Sequence, residues 1–160
     1  MKNDFDGYIG IDWSGAKGSR HKGIAVAYSD KGKALCLIQP PNQVWSRQEV
    51  YNFILEESLS KKLLIGIDFS FSYPFIDVGS FFPCGPCDQP STAYELWRKV
   101  EEISHNSNDF YGGNIWKHDD YSDFYNSPIK RGSKFLSRRR LTEIFSKKYR
   151  SPSPTFNCIG

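Results

Sequence analysis

The stretch that decides the fold is written twice in this chain. "IGIDWS" occupies positions 9–14 and "IGIDFS" positions 65–70, and the copies differ at a single position, where one aromatic residue replaces another. In each copy a short apolar run ends at an aspartate, Asp12 or Asp68. A short apolar run bounded by polar residues is typical of a buried strand. The repeat therefore predicts two similar strands, each presenting a carboxylate at its carboxyl end.

The sequence around these copies predicts the remaining strands. Residues 7–13, 23–29 and 34–39 are short apolar runs separated by turn residues, so we expect them to form an antiparallel meander. Residues 63–69, "LLIGIDF", form a fourth run, whose nearly continuous hydrophobicity predicts a strand buried on both faces. Cys36, inside the third run, is expected to lie in the core.

Two helices are marked by capping boxes, in which a serine or threonine is followed three residues later by a glutamate. The pairs are Ser46 with Glu49 and Thr92 with Glu95. The second helix carries an apolar stripe, formed by Ala93, Leu96, Trp97, Val100 and Ile103. The element order is then β-β-β-α-β with a further helix, which predicts an α/β domain with a mixed sheet and flanking helices.

The second half of the chain is more polar. Residues 104–128 are rich in Gly, Asn and Asp, which predicts a long loop, and residues 134–149 predict a basic helix. The apolar face of that helix is expected to hold Leu141, Ile144, Phe145 and Tyr149. The last ten residues, "SPSPTFNCIG", contain no closing element, so we expect the sheet to lack elements at the C-terminus and the chain to be the N-terminal part of a longer one.

Composition narrows the class of protein. A chain of 160 residues with 16% aromatic residues is expected to fold as one domain, residues 1–160. No apolar run approaches the roughly 18 residues that a membrane span needs, and the N-terminus carries no signal peptide, so we expect a cytoplasmic protein without a membrane partner. A net charge of +3 does not by itself demand a nucleic-acid partner. The sequence leaves the oligomeric state open.

The two aspartates predict a metal site. If the first and fourth strands pair side by side, Asp12 and Asp68 lie within a few ångströms, and a proton or a cation between them relieves their repulsion. Mg²⁺ and Mn²⁺ prefer oxygen ligands such as these. Two such ions about 3.5–4 Å apart would position a nucleophilic water and stabilise the leaving oxygen of a phosphodiester.

Three stretches resemble a known family: "YIGIDWSGA", "GIDFSFSYPF" and "SRRRLTEIF…SPSPTFN". They are similar to the bacterial family called domain of unknown function 429, whose members are predicted nucleases of the ribonuclease-H-like superfamily. The β-β-β-α-β order with aspartates on strands one and four resembles that superfamily too. The resemblance implies a ribonuclease-H-like mixed sheet and metal-dependent hydrolysis of phosphodiester bonds in nucleic acid.

The resemblance also implies roles for individual residues. Asp12 and Asp68 would be catalytic metal ligands, and Glu143 would be a third acid, in place of one that such enzymes carry on a later helix. As a nuclease, the protein would hold phosphate or nucleic acid with Arg139, Arg140 and Lys17, although the arginines could equally be the solvated face of an amphipathic helix. Apart from the resemblance, Ser14 and Ser70 are close enough to the aspartates in sequence to tune the site through hydrogen bonds. The substrate could be DNA, RNA, a hybrid or a branched junction.

Other functions remain open on the sequence. "GIDWSGAKG" is similar to the phosphate loop of actin-like ATPases and sugar kinases, for which this chain would be one lobe. A ribonuclease-H-like module that binds without catalysis is another alternative. Cys84 and Cys87, in "PCGPC", match a redox dithiol motif or half of a zinc site, although a plain turn is the simpler interpretation.

The remaining polar and aromatic groups are expected to be structural or solvated. We expect solvated loop histidines at His21, His105 and His118, and a hydrated acidic loop at Asp119, Asp120 and Asp123. Aromatic residues lie next to the two aspartates in sequence and would either stack on bases or be buried: Trp13, Phe69, Phe71 and Tyr73.

Overall fold

The computed structural model describes residues 4–68, 75, 78–135 and 145. Within them the chain forms four strands, two α-helices and two short 3-10 helices. The strands are β1 (Gly7–Asp12), β2 (Ala25–Asp30), β3 (Cys36–Ile38) and β4 (Leu63–Asp68), and the α-helices are α1 (Arg47–Ser58) and α2 (Ala93–Ser104). The 3-10 helices span Gly113–Lys117 and Ser122–Phe124. The predicted order β-β-β-α-β followed by a helix is confirmed.

The four strands form one mixed sheet in the order β3-β2-β1-β4. β1 pairs antiparallel with β2, and β2 pairs antiparallel with β3, which confirms the meander. β1 pairs parallel with β4, and α1 lies in the connection that parallel strands require. The protein therefore has a mixed α/β architecture.

One face of the sheet packs against α1. The buried residues there form one cluster: Ile9, Ile11, Ile24, Val26, Trp45 and Val50. Alternate residues of a strand point to the same face, so β1 buries its isoleucines while Gly10 and Asp12, between and after them, are exposed. The helix that covers this face begins at the predicted capping box, in which the Ser46 hydroxyl accepts from the Glu49 amide and the Glu49 carboxylate accepts from the Ser46 amide.

The prediction that the fourth strand is buried on both faces is wrong. β4 alternates between half-buried and exposed residues, and the side chain of Leu64 is 48% exposed. Leu64 and Gly66 made the run look continuous, but both lie on the face that α1 does not cover. Cys36 is exposed too, against expectation, because it is the first residue of the short edge strand β3.

The described chain divides into two compact units. The first contains Met1–Phe69 with the short segment Asn108–Phe110, and the second contains Ser70–Ser107 with Tyr111–Gly160. The second unit has its own buried cluster: Phe81, Phe82, Leu96, Ile115, Tyr121, Phe124 and Tyr125. The loop predicted over residues 104–128 is confirmed in part. After Ser104 the described stretch forms no α-helix or strand, but it contains both 3-10 helices and supplies most of the aromatic side chains of this core.

The predicted stripe of α2 holds in part. Its capping box at Thr92 and Glu95 is confirmed. Leu96 is buried and Val100 and Ile103 pack against the same cluster, whereas Trp97 is 46% exposed. The basic helix predicted over residues 134–149 falls mostly outside the described residues; Phe145 is described, as helical and exposed. In the part of the chain that the structure describes, no helix combines the length and the apolar character of a membrane span.

Candidate metal centre

The parallel pairing of β1 and β4 places the two repeated aspartates directly opposite each other. The register runs from Gly7 opposite Leu63 to Asp12 opposite Asp68, without a bulge. Neighbouring strands lie about 4.8 Å apart, and residues in register on parallel strands point to the same face. Both residues are exposed. The repeat read from the sequence is thus a pair of carboxylate-bearing positions on adjacent strand ends.

Neither carboxylate has a partner in the described residues. No hydrogen bond or ion pair reaches the side chain of Asp12 or Asp68 across residues 4–68, 75, 78–135 and 145. Two exposed carboxylates at adjacent strand ends offer oxygen donors of the kind that Mg²⁺ and Mn²⁺ take, often one or two per ion with water completing the shell. The donor set therefore fits a divalent hard cation.

The rest of the predicted site is divided between described and undescribed residues. Glu143, Arg139, Arg140 and Ser70 lie outside the described residues, as do Phe69, Phe71 and Tyr73. Across the described ranges, no group of three or more His, Cys, Asp or Glu side chains could hold a metal ion. The described part of the centre thus consists of the aspartate pair.

The loop that follows Asp12 is held by a buried arginine that the sequence did not single out. Arg47, the first residue of α1, is 3% exposed. Its guanidinium donates to the carbonyl of Ser14 at 3.0 Å and to that of Ala16 at 2.6 Å through Nη2, and to the carbonyl of Asp109 at 2.7 Å through Nη1. Hydrogen bonds from a charged donor are among the stronger ones in proteins. The backbone next to the aspartate pair is therefore tied to the helix.

A second arginine ties the same loop to α1 from the surface. Arg20 makes a bidentate ion pair with Glu49 at 2.9 Å for each contact, and it also donates to the carbonyl of Val44. The Arg20 guanidinium, then the Ser46 amide, lower the pKa of Glu49 to about 2. Glu49 thus serves both the helix cap and the loop.

The predicted loop residues Lys17 and Ser14 lie in this tethered segment. Lys17 is exposed, as a residue that contacts a phosphate would have to be. The Ser14 hydroxyl accepts from the Ala16 amide at 3.4 Å. Within the described residues, no hydrogen bond joins Ser14 to Asp12. Trp13, between them, is half-buried and packs against the cluster under α1.

His21 is buried, which overturns its prediction as a solvated loop histidine. It is 4% exposed, and its amide donates to the Trp45 carbonyl at 2.8 Å, closing an isolated bridge. Burial, and then the neighbouring Arg47 charge, lower the pKa of its imidazole, while the Gly18 backbone and Asp109 act in the opposite direction. The glycine-rich stretch that contains His21 predicted a loop, but its composition did not predict that this loop packs against the segment 39–45.

The other histidines and the acidic loop are less constrained. His105 is exposed as predicted, and His118 is half-buried beside the Tyr121 ring. Asp123 pairs with Lys130 at 3.2 Å, and this contact lowers the pKa of the Asp123 carboxyl. Asp119 and Asp120 are exposed.

The "PCGPC" stretch forms a turn. The Gly85 amide donates to the Phe82 carbonyl at 2.8 Å, and Cys84 has a positive φ of 58°. Cys84 and Cys87 are both exposed free thiols.

A third carboxylate near β1 lies at the opposite end of the strand. Asp30, the last residue of β2, stands opposite Gly7 in the register. It accepts from the Tyr28 hydroxyl and from Lys33 at 2.9 Å, and it forms an ion pair with Lys61 at 3.1 Å. The Tyr28 hydroxyl first, then the two lysines, hold the pKa of Asp30 well below its usual value.

Comparison of the chain with protein-family models, with curated proteins and with solved structures found no significant match. The geometry of the aspartate pair and the residues around it therefore carry the functional argument.

Proposed function

We propose that the protein is a divalent-metal-dependent nuclease that hydrolyses phosphodiester bonds in nucleic acid. The observation that carries the proposal is the register of β1 and β4, which sets Asp12 directly opposite Asp68 at the ends of parallel strands. Both carboxylates are exposed, and both lack side-chain partners in the described residues. The resemblance of the sequence motifs to predicted ribonuclease-H-like nucleases points to the same chemistry.

Asp12 and Asp68 would hold Mg²⁺ or Mn²⁺. When bound, the metal would supply a water nucleophile and charge stabilisation for the leaving oxygen. Lys17, exposed on the tethered loop that follows Asp12, is suited to contact a phosphate. Arg139, Arg140 and Glu143 belong to the same proposal through the sequence resemblance alone.

The test is Mn²⁺ binding measured by calorimetry on the wild type, Asp12→Asn and Asp68→Asn. Each substitution removes one charged ligand but keeps the size of the side chain. We expect Mn²⁺ affinity to fall at least about 10-fold in each variant, since removing even an outer-shell partner commonly costs 10- to 100-fold. Asp30→Asn is the matched control, because Asp30 lies at the other end of β1 and already has protein partners.

Cleavage is measured afterwards, on single-stranded and duplex oligonucleotides in Mg²⁺ and Mn²⁺. Metal-dependent cleavage that both aspartate variants lose would establish the nuclease. Metal binding without cleavage of any substrate would instead fit a binding module. Equal Mn²⁺ affinity in all four proteins would remove the metal centre and, with it, the proposal.

A further inference from the structure

The short segment Asn108–Phe110 belongs to the first unit, although it lies about 40 residues after the rest of that unit in sequence. Its backbone is strained. Asp109 has a φ of 59° and Phe110 a φ of 54°. This left-handed region is tolerated by Gly, Asn and Asp, but for a bulky aromatic residue it is a genuine outlier. Strain of this kind persists where the surrounding structure imposes it, and it concentrates at functional sites.

Arg47 ties this segment to the rest of the first unit. Its guanidinium binds the Asp109 carbonyl at 2.7 Å and the Ala16 carbonyl at 2.6 Å. One buried side chain therefore fixes both the strained segment and the loop that follows Asp12. Phe110 stands next to the fixed carbonyl, so its backbone is placed beside the loop of the candidate metal centre.

The side chain of Phe110 is 65% exposed. A single exposed apolar residue is ordinary on a protein surface. This one is different, because its backbone has a positive φ next to a carbonyl that a buried arginine binds, although a glycine or asparagine would relieve the strain. The fold thus keeps an aromatic ring in solvent at a position where the backbone disfavours it.

The neighbouring loop is positively charged. Lys17, Arg20 and Lys22 are exposed, and the stretch from position 14 to 23 contains no acidic residue. Neither Lys17 nor Lys22 forms an ion pair within the described ranges. Arg47 joins the segment that carries the exposed ring to the loop that carries these lysines. Exposed aromatic rings and cations together bind single-stranded nucleic acid, in which bases stack on aromatic side chains and cations follow the backbone.

We infer that Phe110 is a substrate-binding residue of the candidate metal centre and that its ring stacks on an unpaired base of a single strand. This inference rests on the proposed function, because it requires that nucleic acid binds at the loop after Asp12. It sharpens that function by naming the substrate class. Bases inside a duplex are covered by their neighbours, so the ring selects a single strand or an unpaired region.

The experiment measures binding of a fluorescently labelled oligothymidine by anisotropy, in Ca²⁺, for the wild type and Phe110→Gly. Loss of one base stack weakens binding about 5- to 150-fold. The melting temperature of Phe110→Gly stays the same or rises, since glycine adopts a positive φ without strain. Phe110→Trp restores the affinity because it keeps an aromatic face. Tyr51→Ala is the matched control; this residue of α1 is 52% exposed and should leave binding unchanged.

Each outcome decides the matter. Weaker oligothymidine binding by Phe110→Gly at an unchanged or higher melting temperature, with rescue by tryptophan, supports the inference. Equal affinity of the wild type and Phe110→Gly overturns it and leaves the nuclease proposal standing. A loss of affinity accompanied by a lower melting temperature also overturns it, because the ring would then be structural. If the wild type binds neither single-stranded nor duplex oligonucleotide, the inference and the proposed substrate fall together, and Mn²⁺ calorimetry alone decides the metal centre.

Discussion

The two ends of β1 carry carboxylates in opposite circumstances. At the amino end, Asp30 is surrounded by Tyr28, Lys33 and Lys61, which supply hydrogen bonds and positive charge. At the carboxyl end, Asp12 and Asp68 stand opposite each other in the register and have no side-chain partner in the described part of the chain. A carboxylate whose partners come from the protein stabilises the fold. Two carboxylates on adjacent strand ends repel each other, and a cation from solution would relieve that repulsion.

The backbone at the carboxyl end is nevertheless firmly held, which gives the largest expected effect. Arg47→Met should lower the free energy of unfolding by about 3 kcal/mol or more, because the carbonyls of Ser14, Ala16 and Asp109 lose a charged donor worth about 1.5–3 kcal/mol per bond. Urea unfolding measures it. Arg98→Met is the control, since Arg98 is mostly exposed and its contact with Glu102 is long, at 3.8 Å. Equal unfolding midpoints for Arg47→Met and the wild type would show that the guanidinium does not secure the loop.

Stabilisation by Mn²⁺ tests which end of β1 binds a cation, and we expect it to depend on Asp12 and Asp68 rather than on Asp30. At a concentration 100 times its dissociation constant, Mn²⁺ should stabilise the wild type by about 2.7 kcal/mol. Thermal unfolding with and without Mn²⁺ should show this gain in the wild type and in Asp30→Asn. Asp12→Asn and Asp68→Asn should lose most of it. A gain that persists in both of those variants would place the ion elsewhere.

Without metal, substitutions at the two ends should change stability in opposite directions. Asp30→Asn removes a charge that the lysines stabilise, so its melting temperature should fall. Asp12→Asn and Asp68→Asn each remove one of two repelling charges, so their melting temperatures should stay the same or rise slightly. Calorimetric scans in a chelator measure all three. A marked fall for Asp12→Asn would show that its carboxylate has a structural partner.

The smallest expected effect is on the pH dependence of stability, to which His21, in the loop after Asp12, and Asp30, at the other end of β1, contribute in different pH ranges. His21 has a lowered pKa in the folded protein, so below about pH 6.5 the unfolded chain takes up a proton that the folded chain does not. The free energy of unfolding therefore decreases as the pH is lowered through this range. Asp30 has a lowered pKa, so its contribution is complete above about pH 4 and is lost as the pH falls below that value. Urea unfolding from pH 3 to 8 should therefore show two declines.

Matched variants assign these two declines. His21→Gln should remove the upper one, and Asp30→Asn should reduce the lower one, to which Glu49 and Asp123 also contribute because their pKa values are lowered too. His105→Gln, at an exposed position, should change neither. An upper decline that survives in His21→Gln would mean that the loop after Asp12 does not respond to pH through this imidazole.

The sequence predicted those parts of the molecule that repeat or follow a period. The copies of "IGID" led to the paired strands and to Asp12 opposite Asp68, and the serine–glutamate and threonine–glutamate spacings led to both helix caps. Each of these signals is local, because it depends on residues a few positions apart or on two matching strands.

The features that sequence reasoning missed depend on contacts across the chain. Arg47 reads as an ordinary polar residue at the start of a helix, and its burial follows from carbonyls 31, 33 and 62 positions away. The core of the second unit uses Tyr121, Phe124 and Tyr125 in 3-10 helices and turns, which have no hydrophobic period to detect. Glycine at position 66 concealed the exposed face of β4, since it counts as neither clearly apolar nor polar.

The contact between Arg47 and Asp109 also bears on how the chain folds as it is synthesised. The two residues are 62 positions apart. At about 5–20 residues per second, Asp109 leaves the ribosome about 3–12 s after Arg47. During that interval the rest of α1 and then β4 emerge, so the sheet is complete while the guanidinium still has no Asp109 carbonyl to bind. The loop after Asp12 therefore becomes fully secured only after the sheet that carries it has been synthesised.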